Sequence, residues 1–333
     1  MVAVDGETVR WRAGRWPLLC LALLQMACLR ELTPRPEGFR CDVDADCGGM
    51  DLCLNRLCTA PGSADGAMPT FPLRVALYRP WTASSFSGTF HDAPSGAQYD
   101  TADAGVVAGH VAALQYANIS AAAIAWDGPG TPIDAAIPAL LTAGAKRGFH
   151  WAFFDQSPVS QFAAAFHHLD ETYGSGASLL RVGGRWVMVM GSLPNTTSCS
   201  DLAKLLLAND AGHAFLVAKV FPGYAGCAMQ PDAWAQFASD QHYDAKTGAQ
   251  GVVDSVTLSP GEFQAQDSTP TLLRDADRWR ADVEQMVASP ARFQFILSFN
   301  DWEADDAVES APRWETPSGF GVYLDALHAQ PPG

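Results

Sequence analysis

The densest group of reactive side chains lies near the carboxyl end, where five acids fall within nine residues directly after an apolar run. Such a segment can be a solvated loop, a calcium site with oxygen ligands, or a pair of carboxylates that cleave a glycosidic bond. Calcium is disfavoured because no D-x-D-x-D-G loop is present. We expect a substrate-facing role for at least Asp301. The acids are Asp301, Glu303, Asp305, Asp306 and Glu309.

Short apolar runs alternate with longer amphipathic segments from Phe71 onward, which favours parallel β/α units. About 260 residues in such units is the usual length of a (β/α)₈ barrel. Seven strands can be identified, and the eighth is expected between Gly223 and Gly251. The predicted strands are Arg74–Tyr78, Ala121–Trp126, Phe149–Phe154, Trp186–Met190, Ala214–Val220, Val252–Leu258 and Phe293–Phe299.

Polar and aromatic residues follow most of these strands, at the end where a barrel of this type carries its site. Three tryptophans, Trp81, Trp126 and Trp302, are expected to stack on sugar rings, whose C–H faces are apolar. Packing at the barrel mouth is the alternative for each of them. Further residues are expected to bind a carbohydrate, and they are Tyr78, Asp127, His150, Asp155, Tyr224 and Glu309.

Charge and motif content exclude several other classes of protein. The 333 residues carry 21 Lys and Arg against 36 Asp and Glu, a formal net charge of −15, which opposes binding to a nucleic acid. The sequence contains no phosphate-binding loop, no H-E-x-x-H, no G-x-S-x-G and no complete G-x-G-x-x-G. We therefore expect no cofactor, no metal and no nucleic acid, and a polysaccharide or oligosaccharide as partner.

The first 28 residues have the order of an export signal. Arg10, Arg12 and Arg15 precede an apolar run from Pro17 to Cys28 that is shorter than the ~20 residues needed to span a bilayer. Ala27 before Cys28 resembles a lipobox, so Cys28 is a lipidation candidate, with simple cleavage or an uncleaved anchor as alternatives. We expect an exported protein, either an outer-membrane or cell-surface lipoprotein attached to the membrane only through this N-terminus, or a secreted or periplasmic protein.

Residues 29–58 form a cysteine-rich module, because Cys41, Cys47, Cys53 and Cys58 lie in a segment too polar for a core of its own. Disulfides are favoured over a metal site, since the spacing is not that of paired C-x-x-C knuckles. A linker over residues 59–70 and a main domain over residues 71–330 follow. Cys199 and Cys227 in that domain are candidates for a further disulfide.

Several blocks occur in the order and spacing of a known family. They are Tyr78-Arg79-Pro80-Trp81, Trp126-Asp127-Gly128-Pro129-Gly130, Phe149-His150, Phe299-Asn300-Asp301-Trp302 and Gly319-Phe320-Gly321-Val322-Tyr323-Leu324. With these blocks, residues 72–329 resemble the glycoside hydrolase family 99-like group, typified by endo-α-mannosidases and related to family 71 α-glucanases. The resemblance implies a (β/α)₈ barrel that cleaves α-linked mannan or glucan with retention.

The resemblance also implies roles for two positions of the F-N-E-W-x-E motif. Its first Glu, thought to take a proton from the substrate 2-hydroxyl, is Asp301 here, and its second, the general acid and base, is Ala304. Ala152 stands where the family often has another substrate-binding Glu. Glu303 or Asp305 replaces the missing acid only if the loop shifts by one residue. Two hypotheses stay open, an exported retaining glycosidase and a surface protein that binds carbohydrate without cleaving it.

Overall fold

A computed structural model describes residues 52–54, 57–59, 69–82, 85–87, 90–96, 98–209 and 211–332. The chain divides into two units, Met1–Pro61 and Gly62–Gly333. In the first, β1 (Leu52–Leu54) and β2 (Leu57–Thr59) form an antiparallel hairpin with Cys53 opposite Cys58. The predicted signal segment with Cys28, most of the linker, and Cys41 and Cys47 lie outside the described residues.

Eight parallel strands form the barrel of the second unit, with short runs of β-branched, aromatic and small apolar residues in each. The eight strands are β3 (Leu73–Tyr78), β4 (Ala121–Trp126), β5 (His150–Asp155), β7 (Arg185–Met190), β8 (Ala214–Lys219), β9 (Ala233–Ala235), β11 (Val253–Leu258) and β12 (Phe293–Ile296). Neighbours pair in the order β11-β12-β3-β4-β5-β7-β8-β9. The (β/α)₈ prediction is confirmed.

The strand expected between Gly223 and Gly251 is β9, which has only three residues. It closes the barrel against β11 through side chains, since Asp254 Oδ2 accepts from the Trp234 backbone N–H at 3.0 Å and Thr257 Oγ1 donates to the Gln236 carbonyl at 2.8 Å. A strand as short as β9 gives too weak an alternation to be seen in the sequence. Two further strands pair antiparallel at the barrel, β6 (Arg181–Val182) on β7 and β10 (Tyr243–Thr247) on β11.

Helices cover the outside of the barrel, and side-chain caps mark where several of them begin. Asp103 accepts from the Gly105 backbone N–H at the start of the first helix, and Thr131 accepts from the Asp134 N–H at the start of the second. The second ends at Gly148, whose φ of 61° suits glycine. The helices are α1 (Ala104–Tyr116), α2 (Pro132–Arg147), α3 (Phe162–Tyr173), α4 (Cys199–Leu206), α5 (Ala276–Ala288) and α6 (Val322–Ala329).

Alternate residues of each strand enter two different cores. One set fills the barrel interior, where Phe215 of β8 meets Phe293 of β12 across the axis with ring centroids 5.9 Å apart. The other set packs outward against the helices, where Ile124 of β4 and Ile137 of α2 belong to one buried cluster. A residue's position along its strand therefore decides whether its side chain faces the barrel axis or the helix layer.

Cys199 and Cys227 form a disulfide that joins the start of α4 to the loop after β8. Because it closes a segment of 28 residues, its loss is expected to lower the free energy of unfolding by about 2–4 kcal/mol through a less restricted unfolded chain. Denaturant unfolding of a Cys199→Ala/Cys227→Ala double variant, compared with the oxidised protein, measures this. Equal unfolding midpoints would show that the bridge is dispensable.

Among the residues that the structure describes, no helix combines the length and apolar character required to cross a bilayer.

Candidate active site

A cavity of about 310 Å³ opens at the carboxyl ends of β3, β4, β5 and β12, on the face where barrels of this type carry their sites. Two larger cavities, of about 390 and 450 Å³, lie at the amino ends of the strands. Polar side chains converge on the carboxyl-end cavity from four strand ends. Its polar lining is formed by Arg79, Asp127, Gln156, Ser298, Asp301 and Asp306, while Tyr78 also borders it but directs its hydroxyl outward to His110.

Asp301 lies at this cavity beneath the guanidinium of Arg79. Arg79 Nη1 donates to Asp301 Oδ1 at 2.8 Å, and its Nη2 contacts Glu303 Oε2 at 2.5 Å. The same Asp301 oxygen accepts the backbone N–H groups of Glu303 at 3.2 Å and Ala304 at 3.3 Å. These donors hold one oxygen of Asp301 in place, and no donor among the described residues reaches Oδ2.

Asp306 lines the same cavity and is linked to Asp301 through one hydroxyl. Ser298 Oγ donates to Asp306 Oδ1 at 2.6 Å and accepts the backbone N–H of Asp301 at 2.6 Å. Burial, the charge of Asp301 and that of Glu262 raise the pKa of Asp306 well above its ordinary value, against the lowering effects of Ser298 and Arg274. The uncharged acid is therefore favoured at Asp306.

Asp305 points away from the cavity. Its carboxylate pairs with Arg274 at 3.2 Å, with both side chains almost fully buried, and Arg274 also donates to the Asp305 carbonyl at 2.8 Å. Burial raises the pKa of Asp305 and the Arg274 charge lowers it, with a net rise. Asp305 is not among the residues that line the cavity, and its backbone has a positive φ of 50°.

The loop around Ala304 is held in register by a neighbouring strand-like segment. The backbone N–H of Phe263 donates to the Ala304 carbonyl at 2.9 Å, and that of Ala265 donates to the Glu303 carbonyl at 3.0 Å. A one-residue shift would break both bonds. The shift needed to bring Glu303 or Asp305 to the place of the missing acid is therefore not seen, and Glu303 stays half exposed beside Arg79.

A buried hydrogen-bond network supports this loop from behind. Glu309 accepts from Tyr99 Oη at 2.7 Å and lies 3.2 Å from His110 Nε2, while His110 Nδ1 lies 2.9 Å from Tyr78 Oη. Asn300 donates to Tyr99 Oη at 3.1 Å and accepts from the Arg79 backbone N–H at 2.8 Å. Glu309 and Tyr78 thus help to position Asp301 and Arg79, and Glu309 does not line the cavity.

The three tryptophans expected to stack on sugars are buried in the layer between barrel and helices. Trp81 donates its indole N–H to the Asn300 carbonyl at 2.8 Å, and Trp126 donates to Asp134 Oδ1 at 3.0 Å. Trp302 donates to Glu309 at 3.2 Å and stacks on Trp314. The structure leaves no ring face of these residues open to a sugar, so the packing alternative describes them.

Three other expected binding residues lie away from the cavity. His150 begins β5 at the amino end of the barrel, about 16 Å along the strand from its carboxyl end. Asp155 ends β5 on the outward face, fully buried, and accepts from Ser157 N–H at 3.0 Å. Tyr224 donates to the Thr247 carbonyl at 3.0 Å, near the amino end of β11. Asp127, in contrast, is exposed at the cavity.

Burial raises the pKa of Asp155 to about 6, and hydrogen bonds from Ser157 oppose the rise. The folded protein then keeps a proton that the unfolded chain has lost, so stability falls as pH rises from about 4 through 6. An Asp155→Asn variant is expected to escape this loss, worth up to about 3 kcal/mol. Unfolding of both proteins at pH 4 and pH 7.5 measures the difference, and parallel pH dependences would contradict the prediction.

Groups of three or more His, Cys, Asp or Glu placed to hold a metal ion are not found among the described residues. The acids of residues 301–309 instead form ion pairs and hydrogen bonds with different partners, which are Arg79, Arg274, Ser298 and the Tyr99–His110 pair.

Comparison with solved structures relates the whole barrel to known enzymes. A GH99 endo-alpha-mannosidase from Bacteroides thetaiotaomicron aligns at a TM-score of 0.62 and 14% identity, over 79% of this chain and 97% of that chain. In fold, the chain is GH99-like. The same protein in complex with bis-tris-propane aligns at 0.62 and 15%, over 79% and 97%. A glycoside hydrolase-like protein aligns at 0.55 and 11%, over 79% and 96%.

No protein-family model matches this sequence, and the comparison with curated proteins gives no match.

Four polar residues at the cavity of this GH99-like barrel were not among the expected site residues: Arg79, Gln156, Ser298 and Asp306. Strict alternation along the strands would have predicted Arg79 and Gln156. Each lies two residues after a side chain that faces the barrel axis, Leu77 or Phe154, and therefore faces the axis as well. Asp306 has no such signal, since it lies in an irregular loop beside another aspartate.

Proposed function

We propose that this protein is an exported glycosidase that cleaves α-linked mannan or glucan, with Asp301 as the base toward a sugar hydroxyl. One observation carries the proposal: the first acid of the F-N-D-W segment lines the cavity at the carboxyl ends of a GH99-like barrel. The fold of the endo-alpha-mannosidase supports the substrate class, and the Arg-rich, apolar N-terminus supports export.

The surroundings of Asp301 suit a carboxylate that removes a proton. Its Oδ1 takes the donors from Arg79, Glu303 and Ala304, which fixes the plane of the group and leaves Oδ2 for the substrate. Asp127 and Gln156 reach the same cavity from β4 and β5 and can hold sugar hydroxyls. A base held in this way contributes about 10²–10⁴-fold to a rate when it lies within hydrogen-bond reach of the proton.

A second candidate is a carbohydrate-binding protein that has lost hydrolysis. The observation that favours it is Ala304, a methyl group at the position where the family resemblance expects a carboxylic acid. The same cavity and the same hydroxyl-binding residues serve this function without a proton donor.

Reducing-end release from α-mannan and α-glucan by the purified protein tests the proposal, with calorimetric binding to the same polysaccharides alongside. Release of oligosaccharides supports a glycosidase. Binding without release from any substrate supports the second candidate and overturns the first. Neither release nor binding overturns both.

A further inference from the structure

We infer that Asp306 is the proton donor to the leaving oxygen. It lies two residues after Ala304, whose methyl group has no proton to donate. This inference rests on the proposed function, and it names the second catalytic residue of that site.

Position selects Asp306 among the acids of the loop. Of the five carboxylates within residues 301–309, only Asp301 and Asp306 line the cavity at the carboxyl end of the barrel. Glu303 is held beside Arg79, Asp305 by Arg274, and Glu309 by Tyr99. The backbone bonds to residues 263 and 265 keep the loop in the register that produces this distribution.

The second argument is the link between Asp306 and Asp301. Ser298 Oγ bonds both the Asp306 carboxyl and the Asp301 backbone N–H, each at 2.6 Å. One side chain at the end of β12 therefore sets the orientation of the proposed acid and the place of the proposed base. Two carboxyl groups fixed relative to each other on one cleft are what glycoside hydrolysis uses.

The charges around Asp306 suit a group that must hold a proton before the reaction. Asp301 and Glu262 face it as anions, and the nearby Arg274 is engaged by Asp305 and by the Ala307 carbonyl at 3.0 Å. Burial together with these anions raises the pKa of Asp306, while Ser298 and Arg274 lower it less. Because the pKa of Asp306 is raised, its acid form persists to higher pH than that of an ordinary aspartate and is lost as pH rises through that pKa.

The proton balance closes without any further reactant. As the bond between the anomeric carbon and the leaving oxygen breaks, Asp306 gives its proton to that oxygen and becomes a carboxylate. In the same half, Asp301 takes the 2-hydroxyl proton and the freed 2-oxygen bonds to the anomeric carbon. Water then attacks the anomeric carbon and gives a proton to Asp306, the bond to the 2-oxygen breaks, and Asp301 returns its proton to that oxygen.

The test compares leaving groups of different acidity on aryl α-glycosides of the sugar released in the polysaccharide assay. Asp306→Asn is expected to lower the rate for a phenyl leaving group by about 10²–10⁴-fold, since general acid catalysis supplies that factor. A dinitrophenolate needs no protonation, so its release should fall less than about tenfold. Azide should restore turnover as a glycosyl azide, because it attacks without a base.

Asp305→Asn is the matched control, a neighbouring buried aspartate that does not line the cavity. It is expected to affect both leaving groups equally and to resist azide. An equal loss for both leaving groups in Asp306→Asn overturns the inference while the glycosidase function stands. A wild-type protein that releases nothing from any polysaccharide overturns both.

Ser298→Ala keeps the carboxyl and covers the case in which Asp306→Asn does not fold. Removing the hydroxyl takes away a bond that lowers the Asp306 pKa. The alkaline limb of the kcat/KM profile should therefore move to higher pH. An unmoved alkaline limb contradicts the assignment of that limb to Asp306.

Discussion

Asp301→Asn is expected to reduce oligosaccharide release by about 10²–10⁴-fold, the usual contribution of a general base. The asparagine oxygen can still accept from Arg79 and from the backbone N–H groups that now meet Oδ1. Its amide nitrogen then replaces Oδ2 and cannot take a proton. Rates from initial reducing-end release, with circular dichroism to verify folding, measure this effect.

Glu303→Gln provides the comparison, because Glu303 pairs with the same Arg79 but is half exposed outside the cavity lining. A twofold or smaller change is expected, since exposed ion pairs contribute about 0–1 kcal/mol. A loss in Glu303→Gln as large as that in Asp301→Asn would return Glu303 to the catalytic role predicted for it. Wild-type rates in Asp301→Asn would remove Asp301 from that role.

Trp126→Ala is expected to lower the free energy of unfolding by about 3–5 kcal/mol, the range for removing a fully buried tryptophan. Trp126 has no exposed surface, and its indole N–H bonds Asp134, which also accepts from the Gly130 N–H at 2.9 Å. Its loss leaves a cavity between β4 and α2 and removes one donor from a buried carboxylate. Equilibrium denaturation measures the change.

Trp186→Ala is the matched control. Trp186 is equally buried and donates to Asp170 Oδ1 at 2.9 Å, but it lies near the amino end of β7. Both variants should lose similar stability and retain the polysaccharide affinity of the remaining folded protein. A Trp126→Ala protein of normal stability but much weaker binding would show that Trp126 stacks on sugar after all.

The sequence by itself determined the architecture and indicated the end of the barrel where the candidate site lies. Seven of the eight parallel strands were identified because each is a short apolar run between longer helix-like or loop segments, a local pattern. The pairing of Cys199 with Cys227, suggested as a candidate, is confirmed. Asp301 was expected at the carboxyl edge of the barrel because it lies two residues after the last predicted strand, Phe293–Phe299, and it does line the cavity there.

Only the tertiary structure decided which neighbouring side chain reaches the cavity. Asp155 and Gln156 are adjacent in sequence, yet the first faces the helix layer and the second faces the cavity. The reason is that successive side chains along a strand point to opposite faces. Asp305 and Asp306 diverge because Arg274, distant in sequence, captures the first. The sequence shows the number of acids in a loop. Which of them faces the cavity depends on partners that folding brings close from elsewhere in the chain.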